Sequence, residues 1–166
     1  MIPLTVGEIA RLVSGQIHSV DDDLVVRDVV IDSRSVTPSS MYVAIAGERV
    51  DGHDYASAAV AAGSLVCLTS HDVSDSSGNA VPCIVVDDPV LALGRLARAV
   101  RRNHLACKVV AITGSSGKTS TKDLVAQLLT VMGRTTSAVG SFNTEVGVPL
   151  TILSADADTE FLVVEM

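Results

Sequence analysis

The sequence predicts an α/β fold: a small α/β domain followed by the start of a parallel-sheet domain with a phosphate-binding loop. Three observations carry this reading. Short β-branched apolar runs alternate with helix-length amphipathic or alanine-rich segments along the chain. Hydrophobic residues make up 48% of the 166 residues but aromatics only 2%, so Val, Ala, Leu and Ile must build the core, as they do in buried strands. Residues 109–122, VVAITGSSGKTSTK, read as a buried strand, a glycine loop and the opening of a helix.

The elements follow in order. Thr5 and Glu8 have capping-box spacing ahead of Ile9, Leu12 and Val13, which share a helical face that Gly15 can end. Leu24–Ile31 is β-branched and strand-like and runs into the polar Asp32-Ser33-Arg34. A second strand, Met41–Ala46, stops at Gly47. The segment GERVDGHDY is polar and glycine-punctuated, and an alanine-rich helix over 55–62 follows it. Leu65–Thr69 and Cys83–Asp87 are short strands separated by the loop HDVSDSSGNAVP. From Pro89 to about Asn103 the chain reads as a helix with proline in its first turn and arginines near its end, where they suit the dipole. A domain boundary is expected near residues 103–108. Beyond it come the strand Val109–Thr113, the glycine loop, a helix to about Met132, a helix start within Thr144–Leu153 and a strand at Phe161–Met166. One strand–loop–helix unit and a further strand only begin a parallel sheet, so a fragment of a longer design is expected.

Composition narrows the function classes. A net charge of −7, spread along the chain, argues against a basic nucleic-acid-binding surface, so any phosphate must be held by a local device. Cys67, Cys83 and Cys107 lie in or beside apolar runs without C-x-x-C spacing and read as buried thiols in a reducing compartment. No leader pattern and no membrane-length apolar run is present, and a cytoplasmic protein without a membrane span is expected.

The chemistry concentrates in the glycine loop. Gly114, Ser115, Ser116 and Gly117 can wrap phosphate oxygens with backbone N–H groups. Lys118 adds a cation, Thr119 offers a hydroxyl to Mg²⁺, and Ser120 lies in the helix turn that points its positive end at the anion. The usual phosphate-loop spacing is incomplete, because Ile112 stands six residues before Lys118. A flexible Ser/Gly turn that happens to hold a lysine is the plain alternative. Glu165 ends the strand FLVVE at the sheet edge where ligands gather, and it suits either a magnesium ligand or a solvated acid. Asp32-Ser33-Arg34 suits a diphosphate or a uracil edge, and equally an ordinary surface turn. Gly47, Asp51, Gly52 and His53 share that ambiguity.

Taken together, DSRSVTPSSMYVAIAGERVDGHDY, AITGSSGKTSTK, NTEVGVPLTIL and FLVVEM resemble the Mur ligases in their family order. Those enzymes join amino acids or a dipeptide to a UDP-muramoyl peptide. The resemblance implies a UDP-muramoyl-peptide-binding domain over residues 1–105, with Ser33, Arg34, Gly47, Asp51, Gly52 and His53 near the nucleotide. It implies a partial ATP-binding domain over 106–166, in which Gly114–Ser120 hold ATP and Lys118 and Asn143 act in catalysis. Thr119 and Glu165 would be the Mg²⁺ ligands. The S-S-G-K-T-S variant of the loop implies UDP-N-acetylmuramoyl-tripeptide and D-alanyl-D-alanine as substrates, joined through an acyl phosphate, with the dipeptide's site outside this chain. It implies too that the fragment alone does not ligate. Where the family often shows a second polar residue after Asn143, this chain has Thr144, which stays outside the expected site. Alternatives are the preceding family member, which adds a diamino acid to UDP-muramoyl-dipeptide, and a non-catalytic UDP-sugar-peptide-binding module. A folate-polyglutamating ligase shares the ATPase core but would lack the front-domain signatures, and an unrelated phosphate-loop kinase would not need that domain.

Overall fold

The computed structural model describes residues 1–138, 140 and 142–166. By its internal contacts the chain divides into two compact units, Pro3–Leu96 and Ala97–Met166 with Met1–Ile2. In chain order the elements up to the division are β1 (Leu4–Thr5), α1 (Val6–Val13), β2 (Gln16–His18), β3 (Val25–Val26), β4 (Asp28–Val30), β5 (Ser40–Val43), α2 (Ala56–Ala61), β6 (Val66–Thr69) and β7 (Cys83–Val85). Helix α3 (Pro89–Asn103) contains the division, which lies ahead of the 105/106 boundary expected from the sequence.

In the first unit, α1 begins as its sequence dictates. Thr5 accepts from the Glu8 N–H at 3.1 Å and Glu8 returns a carboxylate to the Thr5 N–H at 2.8 Å, so two first-turn donors are satisfied reciprocally. The end of α1 differs from expectation. Ser14, not Gly15, takes the left-handed turn (φ 58°). Gly15 is required by packing instead, since a Cβ there would lie 2.5 Å from the Ile84 side chain.

The single strand expected over Leu24–Ile31 is two strands separated by Arg27. β3 pairs antiparallel with β1, whereas β4 enters the main sheet. That sheet runs β2-β7-β6-β5-β4, with β4 to β7 mutually parallel and β2 antiparallel along the β7 edge. Every residue of β5 and β6 is buried, as strands covered on both faces must be. Ala56 and Ala59 of α2 join Tyr42, Cys67 and Cys83 in one apolar cluster, where small helix side chains allow close approach to the strands. All three cysteines are buried and free, and burial pushes the Cys67 thiol up to about 12, so it is inert at neutral pH.

The second unit holds β8 (Lys108–Ile112), α4 (Lys118–Thr130), β9 (Thr135–Ser137), α5 (Gly147–Ser154) and β10 (Phe161–Glu165). Its sheet order is β8-β10-β9, all parallel, which puts β10 in the middle and buries all its residues. The parallel α/β class expected from the sequence is what both units show. No helix among the described residues is long and apolar enough to cross a membrane.

Candidate functional site

The loop between β8 and α4 leaves the sheet at its ligand-facing edge and is shaped by its glycines. Gly114 (φ 155°) and Gly117 (φ 73°) hold backbone that side-chain-bearing residues rarely adopt, and Gly117 stands at the N-terminus of α4. Ser115 and Ser116 are exposed between them. The Lys118 ammonium donates to the Gly114 carbonyl at 2.9 Å, spanning the loop. Ser120 is exposed in the first turn of α4, where the N–H groups lack intrahelical acceptors and favour an anion.

Glu165 is brought to the same place by β10. It is 2% exposed and accepts from the Thr119 hydroxyl at 2.9 Å on one oxygen and from the Asn143 amide at 3.0 Å on the other. Among the described residues no lysine or arginine forms an ion pair with it. A buried carboxylate with only neutral donors is costly, and a divalent cation supplies what those donors do not. A hydroxyl and a carboxylate are the oxygen donors that Mg²⁺ prefers, so the residues present fit that ion. Of the residues singled out in this half of the sequence, Thr119 and Asn143 meet on Glu165, while Lys118, next to Thr119 in α4, holds its ammonium on the Gly114 carbonyl. Thr144, left out of the expected site, accepts from the Gly147 N–H at 3.0 Å and so serves the start of α5.

Lys122 was not legible as a site residue. It lies one helical turn beyond Lys118 and is 0% exposed. Its ammonium is held by the carbonyls of Ala138 (2.6 Å) and Gly140 (2.7 Å) and by the Asp123 carboxylate (2.9 Å). Its sequence signal, a lysine on the face of α4 that also carries buried Ala126, is indistinguishable from a solvated charge without knowledge of the fold.

The first unit carries a cleft of about 540 Å³ lined by Ser33, Arg34, Tyr42, Val50, Gly52 and Tyr55, among others. The chain has only two tyrosines, and both line this cleft. Asp32 caps the 3-10 turn at Ser33–Ser35 and grips Arg34 side-on, with guanidinium contacts of 2.9 and 2.6 Å. The Arg34 hydrogen bonds hold the Asp32 carboxyl down at about 2. Tyr42, whose hydroxyl is pushed up to about 12 chiefly by burial, donates to the Gly52 carbonyl at 2.9 Å. Gly52 has a steric reason: a Cβ there would lie 2.6 Å from the Ile45 nitrogen.

The other residues expected around a nucleotide do not line this cleft. Gly47 closes a tight turn, its N–H donating to the Val50 carbonyl at 2.9 Å. His53 is buried with both ring nitrogens engaged. Nε2 accepts from the Ser70 backbone N–H at 2.9 Å, and that N–H can only donate, so the ring proton sits on Nδ1, 2.6 Å from the Asp51 carboxylate. The imidazole also stacks on His71 with centroids 4.4 Å apart. Asp51 accepts from the His53 N–H and ring, which hold its carboxyl below the usual range. The Asp51–His53 pair thus fixes the loop from within.

A family model described as "Mur ligase family, catalytic domain" matches residues 25–101, and one described as "Mur ligase middle domain" matches residues 112–166. A Mycobacterium tuberculosis protein named UDP-N-acetylmuramoyl-tripeptide--D-alanyl-D-alanine ligase is 38% identical, the match covering 100% of this chain and 37% of that protein. The Escherichia coli protein of the same name is 36% identical over 100% of this chain and 35% of its own length. A crystal structure of MurF from Acinetobacter baumannii superposes with a TM-score of 0.86 at 29% identity, covering 99% of this chain and 36% of that one. The MurF ligase of Thermotoga maritima, solved in complex with ADP, gives a TM-score of 0.70 at 35% identity over 84% of this chain and 32% of its own. The chain therefore spans little more than a third of the length of the curated relatives it matches.

Proposed function

The chain belongs to the Mur ligase family, and from that premise we propose that it is the UDP-muramoyl-peptide-binding domain (residues 1–105) and the beginning of the ATP-binding domain (residues 106–166) of a ligase that joins D-alanyl-D-alanine to UDP-N-acetylmuramoyl-tripeptide. The supporting observation is the buried Glu165 carboxylate, whose side-chain partners among the described residues are the neutral Thr119 and Asn143, beside a glycine loop and a helix N-terminus.

The roles follow from the geometry. The N–H groups of Gly114–Ser120 and the Lys118 ammonium wrap the phosphates of ATP, with Lys118 exchanging the Gly114 carbonyl for a phosphate oxygen. Thr119 and Glu165 would hold Mg²⁺, and the ion would neutralise charge on the phosphates. Asn143 keeps one oxygen of Glu165 oriented at 3.0 Å, the Thr119 hydroxyl holding the other. The substrate carboxylate attacks the γ-phosphate of ATP, the bond to the bridging oxygen breaks and ADP leaves, giving an acyl phosphate. The dipeptide amine then attacks the acyl carbonyl carbon, losing a proton to solvent as inorganic phosphate departs and the amide forms. These residues lower the first barrier by positioning and charge neutralisation. In the first unit, Arg34 and Ser33 suit a diphosphate, and Tyr42 and Tyr55 supply flat apolar walls for a base or sugar. Asp51 and His53 act by holding the loop that positions Gly52.

The test is nucleotide titration by calorimetry. Lys118→Ala should weaken ADP or ATP binding by about 10- to 100-fold, the size of a lost charge-assisted hydrogen bond. An unchanged affinity would sink the assignment.

A further inference from the structure

We propose that Lys122 is a positioning residue for the magnesium–nucleotide site, acting through the main chain that leads to Asn143. The inference rests on the reading of Thr119, Asn143 and Glu165 given above. A lysine is almost never fully buried unless its donors are matched. Lys122 has three N–H donors and three acceptors in reach: the Ala138 carbonyl, the Gly140 carbonyl and the Asp123 carboxylate. Two of the three belong to the segment between β9 and α5. The helix that presents Lys118 and Thr119 is thereby tied to the segment that presents Asn143.

The ties close a ring. Thr119 and Lys122 are on the same helix, Lys122 grips Ala138 and Gly140, and Asn143 follows in the chain. Asn143 and Thr119 then meet on the two oxygens of Glu165. Asn143 is exposed and its amide donates to Glu165, so the backbone that carries it sets where that amide lies. From the far side that backbone rests on α5, where a Cβ on Gly147 would lie 2.8 Å from Phe142. With its ammonium engaged by these protein acceptors, Lys122 acts through them rather than on the nucleotide or the metal. It sets the distance between the amide and the carboxylate that holds the ion.

The experiment compares Lys122→Met, which keeps most of the buried volume and removes the donors, with Thr119→Ala in the intact chain. ADP affinity is measured with and without Mg²⁺, and the Asn143 side-chain amide is followed by NMR. Lys122→Met should cut the gain in affinity that Mg²⁺ confers by roughly tenfold, the lower range for losing an outer partner of a metal site. The Asn143 amide signals should move towards those of a solvated amide. An unchanged Mg²⁺ gain with the Asn143 signals in place overturns the proposal. If Lys122→Met does not fold, the unaltered protein decides: its Lys122 ammonium protons should be visible through slow exchange and should shift when Mg²⁺ and ADP are added together, and no shift overturns the proposal. Should Thr119→Ala also leave the Mg²⁺ gain intact, the nucleotide-site reading itself fails. Loss with Thr119→Ala alone removes only the positioning role.

Discussion

The two units treat their polar groups in opposite ways. In the first, the prominent charged and titratable side chains are already matched: Arg34 by Asp32 in its own turn, and His53 by Asp51 in its own loop and by the Ser70 N–H just after β6. In the second, Glu165 is buried against neutral donors and the first turn of α4 has free N–H groups. Apolar surface shows the same contrast. β5 and β6 are buried throughout, whereas β8 is largely exposed, and Leu124 and Leu128 of α4 are 62% and 70% exposed at i,i+4 spacing. The first unit buries its central strands by its own packing; the second holds a buried carboxylate against neutral donors and carries an exposed leucine pair on α4.

The largest expected effect of that contrast is in hydrogen exchange. Amides of β5 and β6, paired on both sides, should exchange on the order of a hundredfold more slowly than those of β8, which pairs on one side among the described residues. Equal protection would erase the comparison. Next is Gly52→Ala, which forces a Cβ to 2.6 Å from the Ile45 nitrogen and should cost about 1–3 kcal/mol. Both tyrosines lie in the first unit, so tyrosine fluorescence during urea unfolding reports the loss there alone. A smaller effect concerns Asp32, whose folded pKa lies at about 2 against an ordinary 3.8. A depressed carboxyl contributes stability above its unfolded value, so the Arg34 contact should persist as pH falls below 4 and be lost only as pH passes through about 2. Carboxyl-carbon NMR should show the Asp32 midpoint rising towards 3.8 in Arg34→Ala, and a midpoint that stays low would assign the shift to another cause.

Much of this arrangement was legible in the residues. Thr5 and Glu8 announced α1 because the capping box is a local device. The loop at 114–119 was legible because glycine, lysine and threonine at that spacing between an apolar strand and a helix have few other uses. The short strands were not. β2 reads Gln-Ile-His and β9 reads Thr-Thr-Ser, too brief and too polar for periodicity to act on, and each exists because a neighbouring strand offers hydrogen bonds. The break at Arg27 was hidden for the same reason, since tertiary pairing divides a run that is continuous in hydropathy. Lys122 and the Tyr42–Tyr55 cleft escaped because their partners lie far along the chain, and composition does not encode who meets whom.

The central place of β10 has a consequence for synthesis. A ribosome releases β8 first, then α4 and β9, and neither β8 nor β9 can pair until Phe161–Glu165 emerges to stand between them. In the first unit, β4 finds β5 as soon as Ser40–Val43 appears, only a short stretch later. The nascent first unit can therefore fold while the second is still a tethered helix with unpartnered strands, and a pause in translation before residue 161 would prolong its exposure to chaperones and proteases.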